Sequence, residues 1–211
     1  MKSIFLFALL FSTSLFADNT STGTNALLNN TTGTKNVAIG DSAMKSNTSG
    51  LNNTSVGYFG LRNNTTGKQN TAIGSYSLRY NTTGDDNTAV GFETLKYNTT
   101  GDKNTAVGNY ALQDNTTGTS NTSVGNYTLS DNTTGDKNTA VGNYSMRSNS
   151  SGNDNTSMGN YAMRDNISGS DNTANGNYAL RNNTSGSNNT ALGNQSMKAN
   201  TTGGSNTAIG L

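Results

Sequence analysis

Every seventeen positions along much of the chain a cation recurs: Lys45, Arg62, Arg79, Lys96, then Arg147, Arg164, Arg181 and Lys198, interrupted at Gln113 and Ser130. A column of that kind could grip a polyanion such as a sulfated glycan, or serve as a solvated edge beside Asp114, Asp131 and Asp165. Tyrosines follow the same interval at Tyr110, Tyr127, Tyr144, Tyr161 and Tyr178. Stacked aromatic rings can hold a sugar or a peptide, and more often they pack across strands. Aspartates recur at Asp85, Asp86, Asp102, Asp136, Asp154 and Asp171. Hard cations such as calcium take several oxygens. These acids interleave with Lys103 and Lys137 and lack the glycine–aspartate spacing of calcium-binding solenoid repeats, so no metal site is assigned.

Catalysis finds little to work with. The chain has no His and no Cys, which removes the commonest general base, the commonest metal ligand, thiolate chemistry and disulfides. No phosphate-binding loop, nucleophile triad or paired catalytic carboxylates stand out, and a convex rod offers no pocket for them. The expectation is a non-enzyme without cofactor. A net charge of +1 gives no bulk attraction to nucleic acid.

The recurring columns belong to one seventeen-residue word. Asn104–Ser120 reads NTAVGNYALQDNTTGTS, and Asn opens a unit at 19, 36, 53 and onward to 206 without an insertion. Eleven complete units span 19–205 and a partial twelfth spans 206–211. The composition is poor in core formers, 30% apolar and 7% aromatic, which by itself resembles a disordered tract. A strict register argues instead for a solenoid, one unit per coil. Of the 25 glycines, 23 occupy the fifth and fifteenth slots.

Slots two to four (Thr-Ala-Val and variants) read as a strand, in which alternate side chains face opposite ways. The apolar fourth slot is expected to point inward, with slot two, and the small third slot outward. That places Ala38, Ala72, Ala89, Ala106, Ala140, Ala174 and Ala191 on a flat outer strip where another chain can approach, a candidate oligomer face. Slot nine, always Leu or Met, is a second core position. Slots seven to ten fit either an N-capped helical turn or a second strand. Coils about 4.8 Å apart leave no room for helices needing roughly 8–10 Å, so the strand is preferred, Tyr and Leu inward. Asparagines at slots one and twelve, stacked in register, are expected to form amide ladders. Slot twelve also matches Asn-x-Ser/Thr in every unit, and glycans at that spacing would collide. The whole predicts a rod on the order of 50 Å long.

The first 17 residues differ in kind. Lys2, an apolar run from Ile4 to Phe11 and a small residue at Ala17 have the layout of a secretory signal peptide cleaved after Ala17. The run is short of the ~20 residues a membrane-spanning helix needs, so the mature chain is expected to be exported without a membrane span.

The Asn-Thr-Ala-Val-Gly runs (Asn87–Gly91, Asn104–Gly108, Asn138–Gly142) and the Ala-Leu-x-x-Asn-Thr-Thr-Gly run (Ala111–Gly118) resemble the YadA-like head repeats of trimeric autotransporter adhesins. They are also similar to NTAIG-type arrays of bacterial surface and tail-fibre proteins. The resemblance covers residues 19–211, although the best-known heads use a shorter unit. It implies an all-β, left-handed parallel β-roll, three chains side by side, and adhesion to host matrix or glycan at the cell surface. A phage-like receptor-binding fibre and a structural filament or surface-layer subunit are the alternatives. An ice-binding protein, which orders water on regular threonine columns, is a weaker one. The unfinished last unit is expected in a fragment or in a rod that stacks end to end.

Overall fold

A computed structural model describes residues 18–210; the stretch 1–17, where the sequence leads one to expect a signal peptide, and Leu211 lie outside the described residues. Twelve strands, from β1 (Thr20–Thr22) to β12 (Thr207–Ile209), form one parallel sheet in sequence order. Each is three residues long, and register advances by one whole word: in β6 (Thr105–Val107) and β7 (Thr122–Val124), Ala106 lies beside Ser123 and Val107 beside Val124. The chain is thus an all-β parallel solenoid with one seventeen-residue unit per turn.

The amide ladders form. In slot one, Asn104 Nδ2–H donates to Asn87 Oδ1 (3.1 Å) and to the Gly118 carbonyl (2.8 Å), while Asn104 Oδ1 accepts the Asn121 backbone N–H (3.0 Å). In slot twelve, Asn115 Nδ2–H donates to Asn98 Oδ1 (2.7 Å) and Gly118 O (2.9 Å). Both columns are fully buried at these rungs. Buried amides stay only where their hydrogen bonds are made, and here each rung completes its neighbour. Gly118 sits against this ladder so closely that a Cβ there would lie 2.5 Å from the Gly135 carbonyl oxygen.

The strand faces the opposite way from the expectation. Ala38, Ala72, Ala89, Ala106, Ala140, Ala174 and Ala191 are all fully buried, so they cannot form an outer oligomer strip. Slot four points out: Ile39 is 41% exposed and Ile73 42%. The cause is the narrowness of the coil. Slot three meets the opposite wall of the same turn, where Ser123 Oγ donates to Thr128 O (2.8 Å) and Ser157 Oγ to Ala162 O (3.0 Å). Only Ala or Ser fits that gap. The core is Ala or Ser from slot three, a small residue from slot eight, and the Leu or Met of slot nine (Met44, Leu61, Leu112, Met146), as expected for that last position.

The second strand does not form either. Slots six to eleven are consecutive turns. Tyr110 and Leu112 take left-handed backbone (φ 58° and 52°), as do their equivalents in the other units. The Ala111 N–H closes a turn onto Gly108 O (3.3 Å), while Tyr110 N–H donates to Phe92 O below (3.0 Å) and Leu112 N–H to Thr128 O above (2.9 Å). Left-handed backbone is costly for residues with a Cβ. It persists here because every second amide is tied to an adjacent rung. Leu112 points inward, but Tyr110 is only half-buried, on the outer surface.

Candidate binding faces

The sheet wall and the turn wall face each other across the core, so the molecule carries two opposed outer surfaces. On the sheet side, slot two presents threonine in each strand except at Val37, and slot four presents Ile39, Val56, Ile73, Val107, Val124, Val141 and Met158, each at least 36% exposed. No charged residue occurs in either column. Runs of exposed apolar residues in contiguous file mark interaction surfaces.

On the turn side, slots seven and ten are joined by the turn that carries them, and this brings together the aromatic and basic columns that the sequence shows separately. Arg62 lies over the Phe59 ring (4.8 Å), and Arg79 over Tyr80 (4.9 Å), Phe59 (5.2 Å) and Tyr76 (5.3 Å). Arg147 covers Tyr144 (5.9 Å), and Arg181 and Lys198 both reach Tyr178 (5.4 Å). Guanidinium and ammonium groups are attracted to ring faces. The Nε atoms of Arg62, Arg79 and Arg181 are buried without a partner, so these cations are folded down on the aromatics, not extended to solvent. Arg164 instead pairs with Asp165 (2.6 Å), whose hydrogen bond holds the guanidinium above its ordinary pKa. Lys96 pairs with Glu93 (3.0 Å); burial works against its charge, but Glu93 and Tyr97 more than offset it and raise the ammonium pKa. Lys45 is half-buried. From Arg62 onward the basic column is therefore broken into short pieces already engaged by protein groups.

Over five successive rungs the same wall becomes uniform. Tyr110, Tyr127, Tyr144, Tyr161 and Tyr178 stack with centroids 4.7–5.3 Å apart and planes within 13°. Below Tyr110 the stack breaks into edge-on contacts, Phe92 meeting Tyr110 at 79°. Beside the tyrosines runs a second column, the slot-six asparagines from Asn109 to Asn177, which the sequence offers only as N-caps of a helical turn that does not form. Each Asn Oδ1 accepts a backbone N–H from the rung below: Asn109 N–H to Asn126 Oδ1, Asn126 N–H to Asn143 Oδ1 and Asn143 N–H to Asn160 Oδ1 (all 3.2 Å). The two columns line a groove of about 550 Å³. The available signal was that slot six becomes invariant Asn from Asn109 onward, the same unit at which slot seven becomes Tyr for five units.

The aspartates of slot sixteen (Asp85, Asp102, Asp136) have a structural task, whereas Asp86, Asp154 and Asp171 stand in the next slot. Asp102 Oδ1 accepts the Asp85 N–H (2.7 Å) and Asp136 Oδ1 the Thr119 N–H (2.6 Å), as Asn153 does for Asp136 (2.7 Å). Among the described residues no group of three acidic, His or Cys side chains is placed to hold a metal, and no helix is long and apolar enough to cross a membrane.

No family model, curated protein or solved structure matches this chain. Its function must therefore be argued from the two faces themselves.

Proposed function

We propose that the chain is an exported, cell-surface rod that mediates attachment by avidity, without enzymatic activity. Copies associate side by side through the sheet face, and the turn face is left to meet a repetitive ligand on a host surface or matrix. The observation that carries this reading is the segregation of the surface: an uncharged Thr/Val column on one wall and, on the other, an aromatic column that becomes a regular tyrosine stack over five rungs. A rigid array of identical weak sites gains affinity by linkage, with no single strong contact required. The exposed Val and Ile file fits a second copy of the chain, because the same file on another rod has the same repeat and lacks charge to desolvate.

The test has two arms. The mature chain is expected to sediment as an oligomer, and Val107→Lys with Val141→Lys to reduce it to a monomer without unfolding it; a wild-type monomer would remove the side-by-side assembly. Beads coated with the chain are expected to adhere to host-cell or matrix-coated surfaces, steeply less so after deletion of four internal words. Equal adhesion by the shortened rod would refute avidity.

A second reading has one observation in its favour. Slot two sets a straight threonine file beside the apolar file on the flat sheet face, the kind of surface that orders water. Thermal hysteresis in a freezing assay of the mature chain would support ice binding, and its absence would remove it.

A further inference from the structure

We infer that the groove between the Asn109–Asn177 and Tyr110–Tyr178 columns is a binding site for an uncharged, linear, β-1,4-linked polysaccharide lying along the rod, one sugar per rung. The assignment rests on the attachment reading and gives it a ligand class.

The ring geometry supplies the first argument. Aromatic planes in van der Waals contact lie roughly 3.5–4 Å apart. The central rings have centroids 5.1–5.3 Å apart at 4–7°. Rings that stay in contact at that centroid spacing are slid over one another like roof tiles, each leaving a strip of its face uncovered. A pyranose ring carries an apolar C–H face that rests on such a strip, and its repeat along a β-1,4 ribbon is close to the spacing of these tiles. An extended peptide, advancing about 6.6–6.8 Å per pair of residues, falls out of step with rungs about 4.8 Å apart.

The asparagines supply the second. Because each Oδ1 is held by a backbone N–H of the rung below, the amide orientation is fixed and the Nδ2–H groups are the free end. They form a straight file of donors, suited to the hydroxyl and ring oxygens of a sugar, next to an aromatic floor. Apolar surface with a few fixed polar groups is the ordinary composition of a ligand site.

Charge supplies the third. The groove walls contain only Asn and Tyr. On the flank, Arg147, Arg164 and Arg181 are matched in number by Asp114, Asp131 and Asp165, with Arg164 tied to Asp165. A polyanion would need unopposed cations along the track. Slot seven ends the tyrosine file at Glu93 on one side and Gln195 on the other, so the file accommodates five sugars.

The experiment is a calorimetric titration of the mature chain with β-1,4-linked glucose and N-acetylglucosamine oligomers from dimer to hexamer, with α-1,4-linked maltohexaose as the bent control. Affinity is expected to rise with each sugar, level off at the pentamer, be indifferent to added salt, and exceed that for maltohexaose by about tenfold or more. Tyr144→Gln with Tyr161→Gln should lower it at least about tenfold; Gln is already accommodated in this slot at Gln195, with φ 60° against 55° for Tyr144. Asn143→Asp keeps the acceptor for the Asn126 N–H, loses the outward donor, and should weaken binding while melting unchanged. No saturable binding of the hexamers, binding indifferent to these variants, or binding abolished by salt would each overturn the assignment. Coated beads separate the two readings: adhesion without oligomer binding refutes the glycan site alone, and oligomer binding without adhesion refutes the attachment role alone.

Discussion

Asn104→Ala isolates what the buried amide ladders contribute. The Asn104 side chain is fully buried and makes four hydrogen bonds: Nδ2–H to Asn87 Oδ1 (3.1 Å) and Gly118 O (2.8 Å), and Oδ1 from the Asn121 backbone N–H (3.0 Å) and Nδ2–H (3.1 Å). Truncation removes all four. Gly118 O keeps its bond from Asn115, and Asn121 Nδ2 keeps Gly135 O, but the buried Asn121 N–H loses its acceptor. At about 0.5–1.5 kcal/mol per bond, with an added penalty of about 1–3 kcal/mol for one stranded donor, the loss is at least about 3 kcal/mol. Asn206→Ala is the internal control. Asn206 lies on the last rung, is exposed, and its side chain donates one bond to Asn189 Oδ1 (3.0 Å), so truncation should cost under about 1 kcal/mol. Two assays read the difference. Urea unfolding followed by circular dichroism gives the shift in midpoint, and hydrogen exchange at the Asn121 amide reports the local opening directly. The exchange rate there should rise by at least about two powers of ten in Asn104→Ala. A central loss below about 1 kcal/mol, or one equal to that at Asn206, would refute the claim that stacked asparagines hold the rungs together.

Three further outcomes follow from the same geometry. Ala106→Val should lower the melting temperature through overpacking worth about 1–3 kcal/mol. Its neighbour Val107→Ala, half in solvent, should change it far less; the reverse order would restore an outward slot three. Gly118→Ala should shift the urea midpoint strongly, since a Cβ would lie 2.5 Å from Gly135 O, whereas Thr117→Ala on the exposed turn should leave it nearly in place. Finally, burial, and after it the negative charge of Asp131, raises the Asp114 carboxyl above its ordinary value of 3.8, with Lys96 pulling the other way. The folded state thus holds this proton more tightly than the unfolded chain. Its contribution to stability is complete below the ordinary carboxylate range and is lost as pH rises through the higher folded value. Asp114→Asn should flatten that part of the melting-temperature profile and melt higher at neutral pH.

Much of the scaffold is legible in the letters. A strict seventeen-residue word dictates one word per coil, and invariant Asn at two slots is what stacked amides require. The invariant Leu or Met at slot nine is the core. The direction of the strand was not legible by hydrophobicity. Alternation fixes that Ala106 and Val107 face opposite ways without fixing which is inside, and the usual rule sends Val inward. The coil is too thin to obey it. The informative signs were quieter: slot three never exceeds Ser in size, while slot four accepts Asn175. The turn wall was hidden for a different reason. Tyr110 and Leu112 are not residues whose types announce left-handed backbone, and their conformation is imposed by bonds to adjacent rungs that no single unit contains. The groove likewise exists only between units. Tyr and Asn columns could each be read along the chain, but their adjacency, and the burial of the arginines against the rings, come from the turn that folds slot ten back beside slot seven.

Because each coil contacts only the coil before and the coil after it, and the register between them never changes, any one word can be removed or duplicated without disturbing the fit of the others. Slippage during copying of so repetitive a gene would then yield a folded rod of altered length, in steps of about 4.8 Å. The length of the rod could thus change in whole words while every contact between neighbouring coils keeps its form.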